Sequence, residues 1–399
     1  MSTRRRTALA AGVATAGALT VGALAAARPA LDALVGRVER GMNPVGVTPA
    51  DAVSGRALAL HATLRVADLH ADSLLWGRNL LVRGDRGHVD VPRLIEGGVA
   101  LQVLSMPVKT PRGLNIERNT DATDQVLAIA LAKRWPPATW RRLLPRVLHL
   151  ADRACRFADD SAGAFRIIAS QADLAAYLAE REANPAMTAG LLSIEGAHAL
   201  DGDPANVDVV ADVGIRMISP AHFFDTAFGG SAHGVEQGGL TEKGRDMVRR
   251  MEARGVILDV AHASARTIDD ALAIATRPVV ASHTGVRGVC DNARNLSDEH
   301  LDGIAATGGL VGIGFWETAS GGPHPADIAR SIAYAIDRIG VDHVALGSDW
   351  DGAVPVPFDA ANVVRLTDAL LAAGLDDAAV RAVMGENVLR VLATVLPPA

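Results

Sequence analysis

The sequence predicts an α/β fold: a (β/α)₈ TIM barrel with a helical insertion after strand two and a C-terminal closing helix. Three observations predict it. From residue 66 onward, a short apolar run, a polar cluster and a helical pattern recur eight times over roughly 290 residues, the size and alternation of such a barrel. The apolar runs are continuous, as strands covered on both faces require. Ionisable residues recur at the C-terminal ends of those runs, where barrel enzymes place their chemistry. A doubly wound open sheet is the alternative, and no glycine-rich phosphate loop follows the first strand to support it.

Taken in order, the chain opens with "MSTRRRTALAAGVATAGALTVGALAAARPA", three arginines ahead of an uncharged Ala/Gly-rich stretch over residues 7–27. This is the layout of an export signal or an uncleaved membrane anchor, and the arginine pair leans towards twin-arginine export. Residues 1–40 are therefore expected to lie outside the fold. The protein is expected to be exported (periplasmic or extracellular) and tethered to a membrane if the segment is retained. Residues 41–399 are expected to form one domain.

The strand-like runs are "VADLHAD" (66–72), "VALQVLSM" (99–106), "AGLLSIEGAH" (189–198), "IRMISPAH" (215–222), "GVILDVAHAS" (255–264), "PVVASHTG" (278–285), "GLVGIGF" (309–315) and "HVALGSDWDG" (343–352). Segment 107–188 reads as a helical elaboration of the barrel, broken at "RWPPATWRRLLP". Helical patterns fill the other gaps. "LTEKG" opens one with a threonine cap, and "SDEH" opens another with a serine cap followed by acids. The tail, "LDDAAVRAVMGENVLRVLATVLPP", is expected to close the fold as a helix or two.

Composition excludes some functions. A formal charge of −6 and 4% aromatic residues leave neither a basic surface nor stacking platforms for nucleic acid. The two cysteines, Cys155 and Cys290, are too few for a disulfide framework and are expected as buried free thiols. The three lysines, Lys109, Lys133 and Lys243, lie at no strand end.

The first strand carries Asp68, His70 and Asp72 on alternate positions, and a buried strand face does not accept that polarity unless something binds there. The strand ends together bring His70, Asp72, Glu195, His222, His262, His283 and Asp349 to one rim. Each has an ordinary reading as a satisfied polar residue or a turn brace, but seven coincidences in register do not. Imidazole with carboxylate suits zinc and neighbouring divalent ions. Five candidate ligands suit two ions sharing a bridge, and with no lysine at a strand end the bridge falls to a carboxylate, Glu195.

"DLHADSL", "SIEGAHAL", "DVAHAS", "SHTGVRGVCDNARNLSDE" and "GSDWDG" occur in the order and spacing of the membrane (renal) dipeptidases, and the chain resembles that family over about residues 60–392. The resemblance implies a binuclear zinc dipeptidase, in which a metal-bridging hydroxide attacks the peptide carbonyl. His70, Asp72 and Glu195 would hold one Zn²⁺, and Glu195, His262 and His283 the other. It further implies that His222 contacts the substrate and polarises the scissile carbonyl. Arg294 would bind the C-terminal carboxylate, and Asp349 would handle the water's proton. Asp351 is a second candidate for that last role, and a turn brace is the preferred reading of it. Asp68 is expected to support the ligands. The substrates implied are L-X-L-Y and L-X-D-Y dipeptides, and the implied assembly is a homodimer. An alternative keeps the metal-bearing barrel but takes N-acyl amino acids, lactones or β-lactams.

Overall fold

The computed structural model describes residues 29–46 and 53–399. The body is a parallel sheet whose strands are β1 (Val66–Ala71), β2 (Val99–Leu104), β3 (Phe165–Ile167), β4 (Thr188–Ile194), β5 (Ile215–Ile218), β6 (Ile257–Leu258), β7 (Val280–Thr284), β8 (Leu310–Ile313) and β9 (Val344–Leu346). The order is β6-β5-β4-β2-β1-β9-β8-β7, which is a TIM-barrel wrap. Between β6 and β7 the ladder thins to one parallel bridge, Asp259 with Val280, carried by the Val260 N–H on the Val280 carbonyl at 2.7 Å. All eight expected strands are present. β3 is additional: it lies inside the insertion read as helical and pairs with β4, Phe165 opposite Thr188. Three residues are too few to show a strand's pattern, so this strand has no sequence signal of its own.

Besides that strand the insertion carries helices Val126–Ala132, Leu144–Asp160 and Gln171–Ala183, but its first part, residues 107–125, is loop and turns and not the helix expected. The "RWPPATW" break is a short 3₁₀ turn, Pro137–Trp140. The expected caps are in place. Thr241 accepts from the Gly244 N–H to start helix Glu242–Ala253, and Ser297 accepts from the His300 N–H to start helix Asp298–Ala306.

At the tail, helix Asn387–Val395 joins one apolar cluster with Ala67, Leu101, Ala189, Met217, Ile257, Val280, Leu310 and Ala345, a residue from each barrel strand near its start. It therefore stops the end of the barrel opposite the strand C-termini. Outside the sheet, the helices bury a second cluster against residues such as Val66, Leu104, Leu192, Ile218 and Val311.

Most of the segment assigned to export, residues 1–28, lies outside the described residues. The division at residue 40 falls within a helix at 29–42, and its Glu39 is fully buried against Arg78 and Arg86. No helix among the described residues is long and apolar enough to cross a membrane. Both cysteines are free, but Cys155 is exposed and Cys290 half-buried, so neither is the buried thiol expected.

Candidate active site

The C-terminal ends of the strands bring all eight candidate residues to one rim. His70 lies in β1, and Asp72 just beyond it, where its N–H donates to the Trp350 carbonyl at 2.9 Å. Glu195 follows β4 directly. The chain then turns at Gly196, whose φ of 93° favours glycine, and a Cβ there would come within 2.4 Å of the His198 ring. His222 and His262 sit four residues past β5 and β6, and His283 lies within β7. Asp349 follows β9. His262 and Asp349 both adopt left-handed backbone, with φ of 62° and 59°. Such strain in non-glycine residues persists only where surrounding contacts impose it, and it concentrates at functional sites.

Glu195 is the centre. Its Oε1 lies 3.1 Å from His262 Nε2, 3.3 Å from His283 Nε2 and 3.6 Å from His70 Nε2, and its Oε2 lies 3.3 Å from His222 Nε2. Asp72 Oδ1 stands 3.4 Å from His70 Nε2. Three overlapping donor groups result: His70–Glu195–His283, Glu195–His222–His262, and His70–Asp72–Asp349. His70 Nε2, Asp72 Oδ1 and Glu195 Oε2 are buried without a hydrogen-bond partner, which is costly in a folded protein and marks the place a cation would occupy.

The electrostatics point the same way. Burial, reinforced by neighbouring cationic groups, holds His222, His262 and His283 well below the usual imidazole range, so these three rings are neutral near neutral pH. Burial and Asp72 push Glu195 well up, against the pull of His70. Burial also raises Asp349 to about 8, with Asp72 adding to the rise and His70 and Arg294 opposing it. Burial disfavours the charged form of His70, but Glu195 and Asp72 outweigh it and raise that ring to about 10. Glu195 and Asp349 share one guanidinium, that of Arg294. Burial lowers it to about 10, still cationic at neutral pH. The donor set and its charge fit divalent cations of the zinc type.

Arg294 is 6% exposed, donates Nη2 to the His283 carbonyl at 2.6 Å and lies over the Trp316 ring at 5.5 Å. Its loop is pinned by Asn295, which accepts from the Gly285 N–H and donates to the Cys290 and Thr318 carbonyls. Asp351 accepts from Ser73 Oγ, Arg78 and the His88 N–H, so its carboxylate is occupied in bracing the loops around it. Asp68 is fully buried and accepts from Gln102, Ser348 and the His70 N–H, holding β1 against its neighbours.

Two supporting residues escaped the sequence reading. Ser282 Oγ donates to Asp259 Oδ2 at 2.6 Å and lies 2.9 Å from His283 Nδ1 and 3.3 Å from His70 Nδ1. The signals were adjacency, Ser282 beside His283 and Asp259 three residues before His262, and neither is distinctive on its own.

The chain matches the family model described as membrane dipeptidase (peptidase family M19) over residues 54–396. It is 29% identical over 316 residues to dipeptidase tcpJ of Claviceps purpurea, covering 77% of this chain and 69% of that one. Among solved structures it is similar to the dipeptidase AC, a metallopeptidase of family M19, with 26% identity, a TM-score of 0.68, and coverage of 84% of this chain and 100% of that one. It is similar also to a metallopeptidase from Rhodobacter sphaeroides liganded with a phosphinate mimic of the dipeptide L-Ala-D-Ala. There the identity is 25% and the TM-score 0.66, covering 84% of this chain and 99% of that one.

Proposed function

We propose, for a chain that belongs to the membrane dipeptidase family (peptidase family M19) and is a metal-dependent dipeptidase, that it binds two zinc ions and cleaves dipeptides bearing a free C-terminal carboxylate. His70, Asp72 and Glu195 would hold one ion, and Glu195, His262 and His283 the other. When bound, such a pair supplies Lewis acidity towards the peptide carbonyl and an activated water at neutral pH. The remaining tasks belong to the side chains.

Arg294 binds the terminal carboxylate. A planar guanidinium offers parallel charge-assisted hydrogen bonds, and the His283 carbonyl and Trp316 ring hold this one in place. That requirement makes the enzyme a dipeptidase and excludes internal peptide bonds. His222 donates to the scissile carbonyl oxygen as negative charge develops there, a contribution on the order of 3–4 kcal/mol for one well-placed donor. Asp349 accepts the water's proton and returns it to the leaving amine.

The observation that carries this reading is the gathering of four histidine Nε2 atoms within 3.6 Å of the Glu195 carboxylate, with Arg294 on the same rim. The L-Ala-D-Ala mimic bound by the Rhodobacter relative supports accepting a D-residue at the second position as well as L-X-L-Y. The reading extends to an exported protein, tethered if the N-terminus is retained, and to a homodimer.

The test is hydrolysis of L-X-L-Y and L-X-D-Y dipeptides and their C-terminally amidated forms by metal-stripped and zinc-reconstituted protein. Zinc-dependent cleavage of the free acids alone is expected. Equal cleavage of the amides would move the substrate to another acyl class.

A further inference from the structure

We propose that Glu39, on the helix at 29–42, is a positioning residue for the active site, acting through Arg78 and Asp351 on the loop that carries Asp349. Asp351 is fully buried two residues beyond Asp349, and its left-handed φ of 63° sits in a run with Asp349 (59°) and Ala353 (64°). Three non-glycine residues in that region within five positions need outside contacts to hold them. Asp351 supplies many of them. Its carboxylate accepts from Ser73 Oγ at 2.6 Å, next to the ligand Asp72, and from the His88 N–H at 2.6 Å. Its own N–H donates to His88 Nδ1 at 2.9 Å, and its carbonyl accepts from Trp76 Nε1 at 2.7 Å. The loops after β1 and β9, which present Asp72 and Asp349, are thereby locked together.

The lock's charge is balanced from the N-terminal helix. Arg78 reaches Asp351 at 2.5 Å and pairs at the same time with Glu39. The second oxygen of Glu39 accepts from Arg86 Nε at 2.7 Å. Glu39, Arg78 and Asp351 are each less than a tenth exposed, so the alternating chain of charges lies out of water, and removing one member leaves its neighbour buried and under-compensated. The same segment holds the loop at two further points. Asn43 Oδ1 accepts from the Ala353 N–H at 2.8 Å, and the Gly46 N–H donates to the Val356 carbonyl at 2.7 Å. Residues 29–46 are thus a strap across the two loops, so proteolytic removal of this segment would impair the site.

The proposal rests on the dipeptidase reading only for its effect on rate, so it is tested by hydrogen exchange on the zinc-loaded full chain alongside kinetics. Glu39→Ala is expected to raise exchange of the amides at 351–353 and 88–89 by about tenfold or more, with β2 unchanged. It is expected to lower kcat for a dipeptide at unchanged KM and unchanged zinc content. Asn43→Ala, a milder change, raises exchange at Ala353 with a smaller loss of kcat. Asp377→Ala, which removes the exposed Arg56–Asp377 pair outside this network, alters neither. Exchange at 351–353 within twofold of the unmodified protein in both Glu39→Ala and Asn43→Ala overturns the proposal, whatever the activity. An unmodified protein inert towards dipeptides counts against the substrate reading alone.

Discussion

Ser282 donates its hydroxyl to Asp259 at 2.6 Å, and this orients two histidines at once. Because that proton is committed to the carboxylate, the Ser282 oxygen can only accept from the Nδ1 atoms of His283 and His70. Both rings are thus held with a proton on Nδ1, which leaves Nε2 as the atom that faces Glu195 and as the position a metal ligand would use. Ser282→Ala and Asp259→Asn are accordingly expected to weaken zinc binding by roughly 10–100-fold, measured by competition with a chelating dye. Unchanged affinity in both variants would remove the pair from the metal site.

Arg294→Lys keeps the charge but loses the planar fork. Its kcat/KM for free-acid dipeptides is expected to fall by about 10–100-fold, the worth of one charged hydrogen bond or more. Zinc content measured on the same samples should stay at the unmodified level. A fall confined to metal content would show that Arg294 supports His283 and does not meet substrate.

Asp349→Asn isolates proton transfer from folding, because asparagine tolerates the left-handed φ of 59° as well as aspartate does. Loss of kcat on the order of 10²–10⁴ with KM little changed is expected from steady-state kinetics. Gly352→Ala should harm the same residue sterically, since a Cβ there would lie 1.8 Å from Asp349 Oδ1. Full activity in Asp349→Asn would reassign the proton's carrier.

His233 gives the metal-free protein an acid-sensitive element. It is buried, its Nδ1–H donates to the Ile116 carbonyl at 2.6 Å, and burial with Arg294 lowers it to about 4. The unfolded chain binds this proton near pH 6.5 and the folded chain only near 4, so the unfolded state holds more protons in between. Stability is therefore lost as pH falls from about 6.5 towards about 4, with a slope approaching 1.4 kcal/mol per pH unit for one such proton. Urea unfolding of metal-stripped His233→Asn, which can keep a donor to Ile116, should show a shallower slope over that window. An identical slope would place the titration elsewhere.

Sequence alone determined the barrel and the rim. A strand covered on both faces must be apolar throughout, so the eight runs stood out, and the ionisable residues at the ends of six of them were conspicuous against that background. His70, Asp72, Glu195, His262, His283 and Asp349 were legible for that reason, while Arg294, in a loop past β7, came from motif resemblance. Only the tertiary structure decided what holds these residues. Ser282 and Asp259 lie 23 positions apart, Asp351 and Arg78 lie 273 apart, and Glu39 sits in a segment whose neighbours resemble an export signal. A serine beside a histidine, or a glutamate in a helix, has no periodic or compositional signature. Its meaning comes from the partner that folding brings to it, and for buried charges that partner decides whether burial is tolerated at all.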